Sequence, residues 1–248
     1  MTVDNLIPAE GIERIEKYKA KQELHNEFVK DAPPFQEWAK IARLKREIVI
    51  TEKIDGTNAC VVITPEGKIF AQSRTRIISP FSDNFGFATW VENNKETLLL
   101  LGQGHHYGEW FGAGIQRGYG LTEKRFYLFN TIRWEQPGQA EVFRQITDVL
   151  PNVGVVPKLY EGPWDCLVDG ELRYAPDYFI EVLRSKGSQV VPFMNPEGIV
   201  IYHRASCMSF KQTIENDAEP KGKANAKPVG TQSTVEEGSG TEANIVPN

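Results

Sequence analysis

The sequence is short of several things, and each shortage removes a class of protein. It has three cysteines, Cys60, Cys166 and Cys207, an odd number with no Cys-x-x-Cys pair among them. That spacing provides neither a disulfide framework nor a zinc site, and it suits a reducing compartment. No uninterrupted apolar run reaches membrane-spanning length. The first residues, MTVDNLIPAEGIERIEKYK, carry charges where a secretory leader needs an apolar core. A soluble, cytoplasmic protein without a membrane partner is the expectation. Positive charge is not in excess either: 28 Lys and Arg face 33 Asp and Glu, a net charge of -5 over 248 residues. This argues against a general basic coat for nucleic acid, although a local basic groove depends only on where the charge sits. There is no internal repeat.

What is present is enough apolar sequence, 40% of residues, for one substantial core or two small ones. Residues 11–30 are rich in helix formers, with Ile12, Ile15, Leu24 and Phe28 on one face. Pro33 and Pro34 end that helix, and a second helical piece is expected through PFQEWAKIARLK. The pattern then changes. REIVITEKI and ACVVITPEGKIFAQSRTRI are β-branched and alternating, with Pro65-Glu66-Gly67 as a turn. Further strands are expected at HHYGEWF, RFYLFNTIRW, GVVPKLY, EGIVIYH and CMSFKQTI, and helices near residues 139–150 and 176–185. Antiparallel strands with intervening helices indicate an α+β fold rather than repeated βαβ units. Beyond about Asp217 the composition falls to Gly, Pro, Ser, Thr, Asn and charge, the signature of a disordered tail. Three parts are therefore expected: a helical extension over 1–47 packed on the core, a catalytic domain over 48–217, and a tail over 218–248.

The stretch TEKIDGTNACVVI, residues 51–63, has two readings. Asp55-Gly56 between β-branched runs is a hairpin signal, which would leave Lys53 a solvated strand lysine. Alternatively, Lys53 is a covalent nucleophile whose pocket Asp55 and Gly56 shape. Strand alternation puts Thr51 and Lys53 on one face and Ile48, Ile50 and Ile54 on the other, with Asp55 on the lysine's side and Gly56 free to turn sharply. Lys-x-Asp-Gly alone is a weak match. His105-His106 invites a metal reading, but no further His or Cys stands at ligand spacing.

Other segments follow in order: SRTRIISP at 73–80, YGEWFGAGIQ at 107–116, FYLFNTI at 126–132, PEGIVIY at 196–202 and SFKQT at 209–213. With EKIDGTN, this series resembles the RNA ligase family typified by the second RNA ligase of T-even phages, within the covalent nucleotidyltransferases. The resemblance spans residues 48–217. It implies an α+β nucleotidyltransferase domain whose antiparallel sheets flank a nucleotide cleft. It also implies an ATP-dependent ligase that joins 5′-phosphate and 3′-hydroxyl RNA ends, single-stranded or across a nick, through lysyl-AMP and AMP-capped RNA.

Carried over residue by residue, the resemblance makes Lys53 the nucleophile on the α-phosphate of ATP. Glu52, Asp55, Gly56 and Asn58 join the nucleotide-binding set. Arg74 would hold RNA-end or nucleotide phosphate, Glu109 the ribose hydroxyls, Phe129 the adenine face and Lys211 the α-phosphate. Glu197 would be the acidic residue of the metal motif. The residue types suit the chemistry. A lysine amine, with an ordinary pKa near 10.4, is a poor nucleophile until a neighbouring cation or a metal favours its neutral form. Transfer at phosphorus is mainly positioning and charge neutralisation, and a carboxylate suits Mg²⁺ or Mn²⁺ held largely through water.

Two departures stand out: Ser209 occupies the place of a first lysine in the last motif, and the low-complexity composition after the domain leads to the expectation that it carries no oligonucleotide-binding β-barrel. A compact DNA ligase, a GTP-using capping enzyme and a catalytically silent binder of nucleotides or RNA ends are the alternatives. A phage-encoded protein and a cellular one are equally consistent with the resemblance.

Overall fold

The computed structural model describes residues 9–215 together with residues 217 and 218. Apart from Ala218, the expected tail lies outside the described residues. The chain divides into two units, Met1–Ala42 and Arg43–Asn248.

In the first unit, helix α1 spans Ala9–Phe28. An i,i+4 ion pair between Glu13 and Lys17 at 2.7 Å supports it. Ile12, Ile15, Leu24 and Phe28 are all exposed. The second helix expected through PFQEWAKIARLK does not form, and residues 32–43 hold no regular structure. Pro33-Pro34 disfavours helical geometry in the residue before each proline. Phe35, Trp38 and Ile41 stay almost wholly exposed, so no burial offsets the ordering of a short isolated helix.

The second unit is built on two sheets. β1 (Ile48–Lys53) lies between β8 (Lys158–Gly162) and β11 (Gly198–His203), and β12 (Met208–Thr213) pairs with β11. All three pairings are antiparallel. The other sheet runs β4 (Ile77–Ile78), β3 (Ile69–Ser73), β2 (Thr57–Ile63), β5 (Gly104–Gly112), β6 (Lys124–Leu128), β7 (Val153–Val155). Its last pair, β6 and β7, is parallel, a correction to the expected antiparallel sheets. The reason is the helical crossover between them, α4 (Thr131–Trp134) and α5 (Pro137–Val149), which returns the chain to the starting end of the sheet.

Asp55-Gly56 is not a hairpin. It carries the chain from the first sheet into the second, because both edges of β2 are already taken by β3 and β5. Gly56 is a glycine for space: a Cβ there would stand 2.5 Å from the Trp110 carbonyl and 2.7 Å from Phe111 Cβ. The Asp-Gly hairpin of this chain is Asp169-Gly170, with φ of 52° and 84°, joining β9 (Asp165–Val168) to β10 (Glu171–Tyr174). GVVPKLY is likewise split between sheets, β7 in one and β8 in the other, with the break at Val156-Pro157.

Helices α2 (Phe87–Asn93), α3 (Lys95–Leu98) and α5 cover the second sheet. Phe87, Trp90, Trp110 and Phe126 form an aromatic cluster there, with ring centroids 5.1–5.9 Å apart. Helix α6 (Ala175–Lys186) covers the first sheet through Ile180 and Leu183, against Ile48, Ile50, Ile199 and Ile201. A third cluster, Ile54, Phe111, Tyr119 and Val156, lies where both crossings leave their sheets. It fixes the strand ends that carry the chemistry described next.

Candidate active site

Side chains alternate between the two faces of β1. Ile48 and Ile50 face α6, and Val49, Thr51 and Lys53 face the other way. The antiparallel register extends that second face across the sheet. Thr51 is opposite Val200, which is opposite Lys211; Val49, Tyr202 and Ser209 form the neighbouring row. These residues line a cleft of about 930 Å³. Its other wall comes from the second sheet and the segment after β6, including Asn58, Glu109, Phe129 and Arg133.

Lys53 Nζ lies 2.5 Å from Glu197 Oε2, and the Glu197 side chain is only 2% exposed. Glu109 is opposite Asn58 in the β2–β5 ladder. One of its carboxylate oxygens accepts from the Gly56 N–H at 3.0 Å, and the other from Asn58 Nδ2 at 3.2 Å. The crossing segment thus holds the acid beside the lysine. Burial pushes the Glu109 carboxyl up to about 7, with Glu197 and Asp55 adding to the rise and Lys53 and the Gly56 N–H opposing it.

The other expected site residues divide by position. Phe129 lines the cleft and is 41% exposed, because β6 stops at Leu128 and the Asn130 side chain caps α4 by accepting from the Arg133 N–H. Lys211 lines the cleft from β12. Glu52 contributes to the lining, yet its carboxylate turns to the opposite face, where it accepts from Ser188 Oγ at 2.6 Å and the Gln189 N–H at 2.7 Å. Burial raises its pKa against those bonds.

Asp55 is outside the lining. Its N–H donates to the Tyr119 hydroxyl at 2.9 Å, and its carboxylate accepts from Arg117 Nε at 3.2 Å. Alternation does not persist past the end of the strand, so Asp55 does not share the lysine's face. Arg74 is exposed in the bend between β3 and β4, away from the cleft lining.

The sequence gives no local sign of two groups. Arg117 ties Asp55 to the chain leading into β11, donating to the Asn195 carbonyl at 3.1 Å and to its side-chain oxygen at 2.5 Å. Arg133 stacks over Trp134 with its guanidinium 4.6 Å from the ring and donates to the Leu101 carbonyl at 2.9 Å. Beside it, His106 meets the Gly102 carbonyl through Nε2 at 2.8 Å, and burial lowers its pKa. A lone arginine in a loop or a one-turn helix carries no periodic signal, and Arg117 and Arg133 both bond to distant parts of the chain.

For a metal, the nearby oxygen donors are the carboxylates of Glu109 and Glu197. Among the described residues no cluster of three or more His, Cys, Asp or Glu could hold an ion. One or two carboxylates without a closed cage suit Mg²⁺ or Mn²⁺ that keeps most of its waters and shares its coordination with substrate phosphate.

Two sheets over a cleft that holds a lysine and two carboxylates make an α+β fold. Among the described residues no sheet closes into a barrel. The RNA ligase family model matches residues 46–214, and the chain belongs to that family. Solved structures of an RNA ligase from Naegleria gruberi are similar to it. An apo lysine-to-alanine variant has 21% identity and a TM-score of 0.46, covering 73% of this chain and 56% of that one. A glutamate-to-alanine variant with ATP and Mn has 19% identity and a TM-score of 0.47, covering 74% and 57%. A lysine-to-methionine variant with AMP and Mn has 20% identity and a TM-score of 0.45, covering 73% and 56%. The chain spans a little over half the length of these relatives.

Proposed function

We propose that the protein is an ATP-dependent RNA ligase with Lys53 as its nucleophile. The observation that carries this is the placement of Lys53 and Lys211 on one face of one sheet, in a cleft also lined by Glu109 and Phe129. Phe129 offers a ring face for the purine and Lys211 a cation for the α-phosphate. The Glu109 carboxylate can accept from the ribose hydroxyls. Arg74, on the exposed bend, meets phosphate of the RNA end.

In the first step Lys53 Nζ attacks the α-phosphorus of ATP, a P–N bond forms, and the bond to pyrophosphate breaks. The Lys53 proton passes to Glu197, whose carboxylate is already in contact. In the second step an oxygen of the RNA 5′-phosphate attacks the same phosphorus and the P–N bond breaks, returning the amine and leaving AMP on the RNA end. In the third, a 3′-hydroxyl attacks that 5′-phosphate, the phosphodiester forms and AMP leaves. Glu197, through water, would hold Mg²⁺ or Mn²⁺, which would offset negative charge on the phosphates.

Cys60, Cys166 and Cys207 are free thiols, which suits work in a reducing compartment such as the cytoplasm. No helix among the described residues is long and apolar enough to cross a membrane.

The test is to incubate the protein with α-labelled ATP and Mg²⁺, denature it, and look for acid-labile label on the polypeptide. Wild type takes up label from ATP in preference to GTP, and Lys53→Ala takes up none. Absence of label on wild type, or equal label on Lys53→Ala, overturns the proposal. Offering 5′-phosphorylated RNA as single strands and as a nicked duplex then identifies the form sealed.

A further inference from the structure

Phe81 is fully exposed, at 100%, in a segment that is otherwise tightly held. It sits at the tip of a turn closed by Ser79 and Ser82, which pair as an antiparallel bridge with the Ser82 N–H donating to the Ser79 carbonyl at 2.9 Å. Arg76 braces that turn, donating from Nη1 to the Ser82 carbonyl at 3.1 Å and to Ser82 Oγ at 2.9 Å. The far end is pinned as well. The Phe85 carbonyl accepts from Trp110 Nε1 at 3.1 Å and from Lys124 Nζ at 2.8 Å, which holds Phe85 at a φ of 53°. A large aromatic ring on a braced turn loses little conformational freedom on binding, so its exposure favours capture of a flat partner.

The location and the charge indicate which partner. Asn84 Nδ2 donates to Thr57 Oγ1 at 3.0 Å, anchoring the loop to the first residue of β2, four residues past Lys53. Arg74 follows Ser73, which pairs with Ala59 at that same end of the sheet. Arg74, Arg76 and Lys124 form no ion pair among the described residues, and the bonds made by Arg76 and Lys124 go to neutral oxygens. The one carboxylate in the loop, Asp83, is taken up by the N–H groups of Asn84, Ala88 and Thr89 and by Thr89 Oγ1. A protein whose net charge is -5 thus carries a local positive rim around two exposed aromatic rings, Phe81 and the half-exposed Phe85. Stacking faces ringed by unpaired cations match single-stranded nucleic acid, whereas the centre of a protein interface is depleted of charge.

We propose that Phe81 is a stacking platform for a base of the RNA strand next to the end being joined, with Arg76 and Lys124 facing its phosphates. The proposal rests on the RNA ligase reading for the identity of the strand and adds a contact outside the nucleotide cleft.

Phe81→Ala and Phe81→Tyr test it in the full chain, with wild type alongside. Binding of a 5′-phosphorylated, fluorescently labelled single-stranded RNA is followed by anisotropy in metal-free buffer, and lysyl-AMP formation is followed without RNA. Phe81→Ala is expected to bind RNA about ten-fold more weakly, with Phe81→Tyr close to wild type. Labelling by ATP, which involves no RNA, should keep its wild-type rate in both variants. Unchanged RNA affinity in Phe81→Ala assigns the ring to a protein partner or to no partner, and overturns the proposal. An equal loss of labelling and RNA binding also overturns it, because the defect is then general. Weaker RNA binding in Phe81→Ala, on a chain whose wild type never forms lysyl-AMP, upholds the stacking contact while rejecting the ligase reading.

Discussion

Lys53 Nζ and Glu197 Oε2 are 2.5 Å apart, with the acid buried and the amine one-fifth exposed. So short a charge-assisted contact holds the nitrogen in place, but a proton occupies the lone pair needed for attack. The same carboxylate is the nearest acceptor for that proton. Glu197→Gln keeps the shape and removes the acceptor. It is expected to slow lysyl-AMP formation by about 10²–10⁴-fold while ATP still binds. A single-turnover labelling time course, paired with an ATP-binding titration, separates the two effects. Labelling at the wild-type rate would show that the proton goes elsewhere.

Glu109 should make the free protein less stable as pH rises through neutrality. Its folded carboxyl titrates at about 7 against an ordinary 4.5, mainly through burial. A raised acid favours the folded state while protonated, so its contribution is complete below about 4.5 and is lost as pH climbs through 7. The difference of about 2.5 pH units corresponds to roughly 3 kcal/mol. Glu109→Gln removes this dependence. Denaturation midpoints at pH 5 and pH 8, without metal or nucleotide, should fall further for wild type than for the variant. Parallel changes in the two proteins would refute the assignment.

Gly56→Ala and Gly67→Ala should behave differently. At Gly56 the new Cβ meets the Trp110 carbonyl at 2.5 Å and Phe111 Cβ at 2.7 Å, and Glu109 Cγ is 3.0 Å away. Backbone and core cannot yield cheaply there, so a loss of about 1–3 kcal/mol is expected, together with displacement of Glu109 and slower labelling. Gly67 has nothing within 4 Å but a φ of +76°, so only conformational strain of roughly 1–2 kcal/mol applies, with labelling unaffected. Urea denaturation and the labelling assay measure both.

Which of these relationships the sequence reveals depends on how local their cause is. Alternation in IVITEK is enough to set Thr51 and Lys53 against Ile48 and Ile50, and the α+β class follows from the mix of patterns. Asp55-Gly56 and Asp169-Gly170 carry the same dipeptide, yet one crosses between sheets and the other closes a hairpin. The difference lies in whether the next strand has a free edge, which no local window contains. GVVPKLY is split for the same kind of reason. The segment after Pro34 has helical spacing, but Phe35 and Trp38 stay exposed among the described residues. Arg117 reaches Asp55 across 62 residues and Asn195 across 78, so its part in the site is set by tertiary structure alone.

Phe129 separates binding from folding. It leaves β6 just past Leu128 and stands 41% exposed in the cleft, outside the aromatic cluster of the core. Truncating it therefore removes little packing, and Phe129→Ala should match wild type in thermal stability within about 0.5 kcal/mol. If its ring stacks on the purine, the same change weakens ATP binding by about ten-fold or more, since base–aromatic stacking is worth roughly 1–3 kcal/mol. Phe129→Tyr should keep most of the affinity and Phe129→Leu little of it, because what is lost is a flat face and not apolar area. Isothermal titration with ATP on the Lys53→Ala background avoids turnover. Equal affinity in Phe129→Ala and its parent would place the purine elsewhere in the cleft, with the Val200 and Tyr202 wall as the next position to mutate.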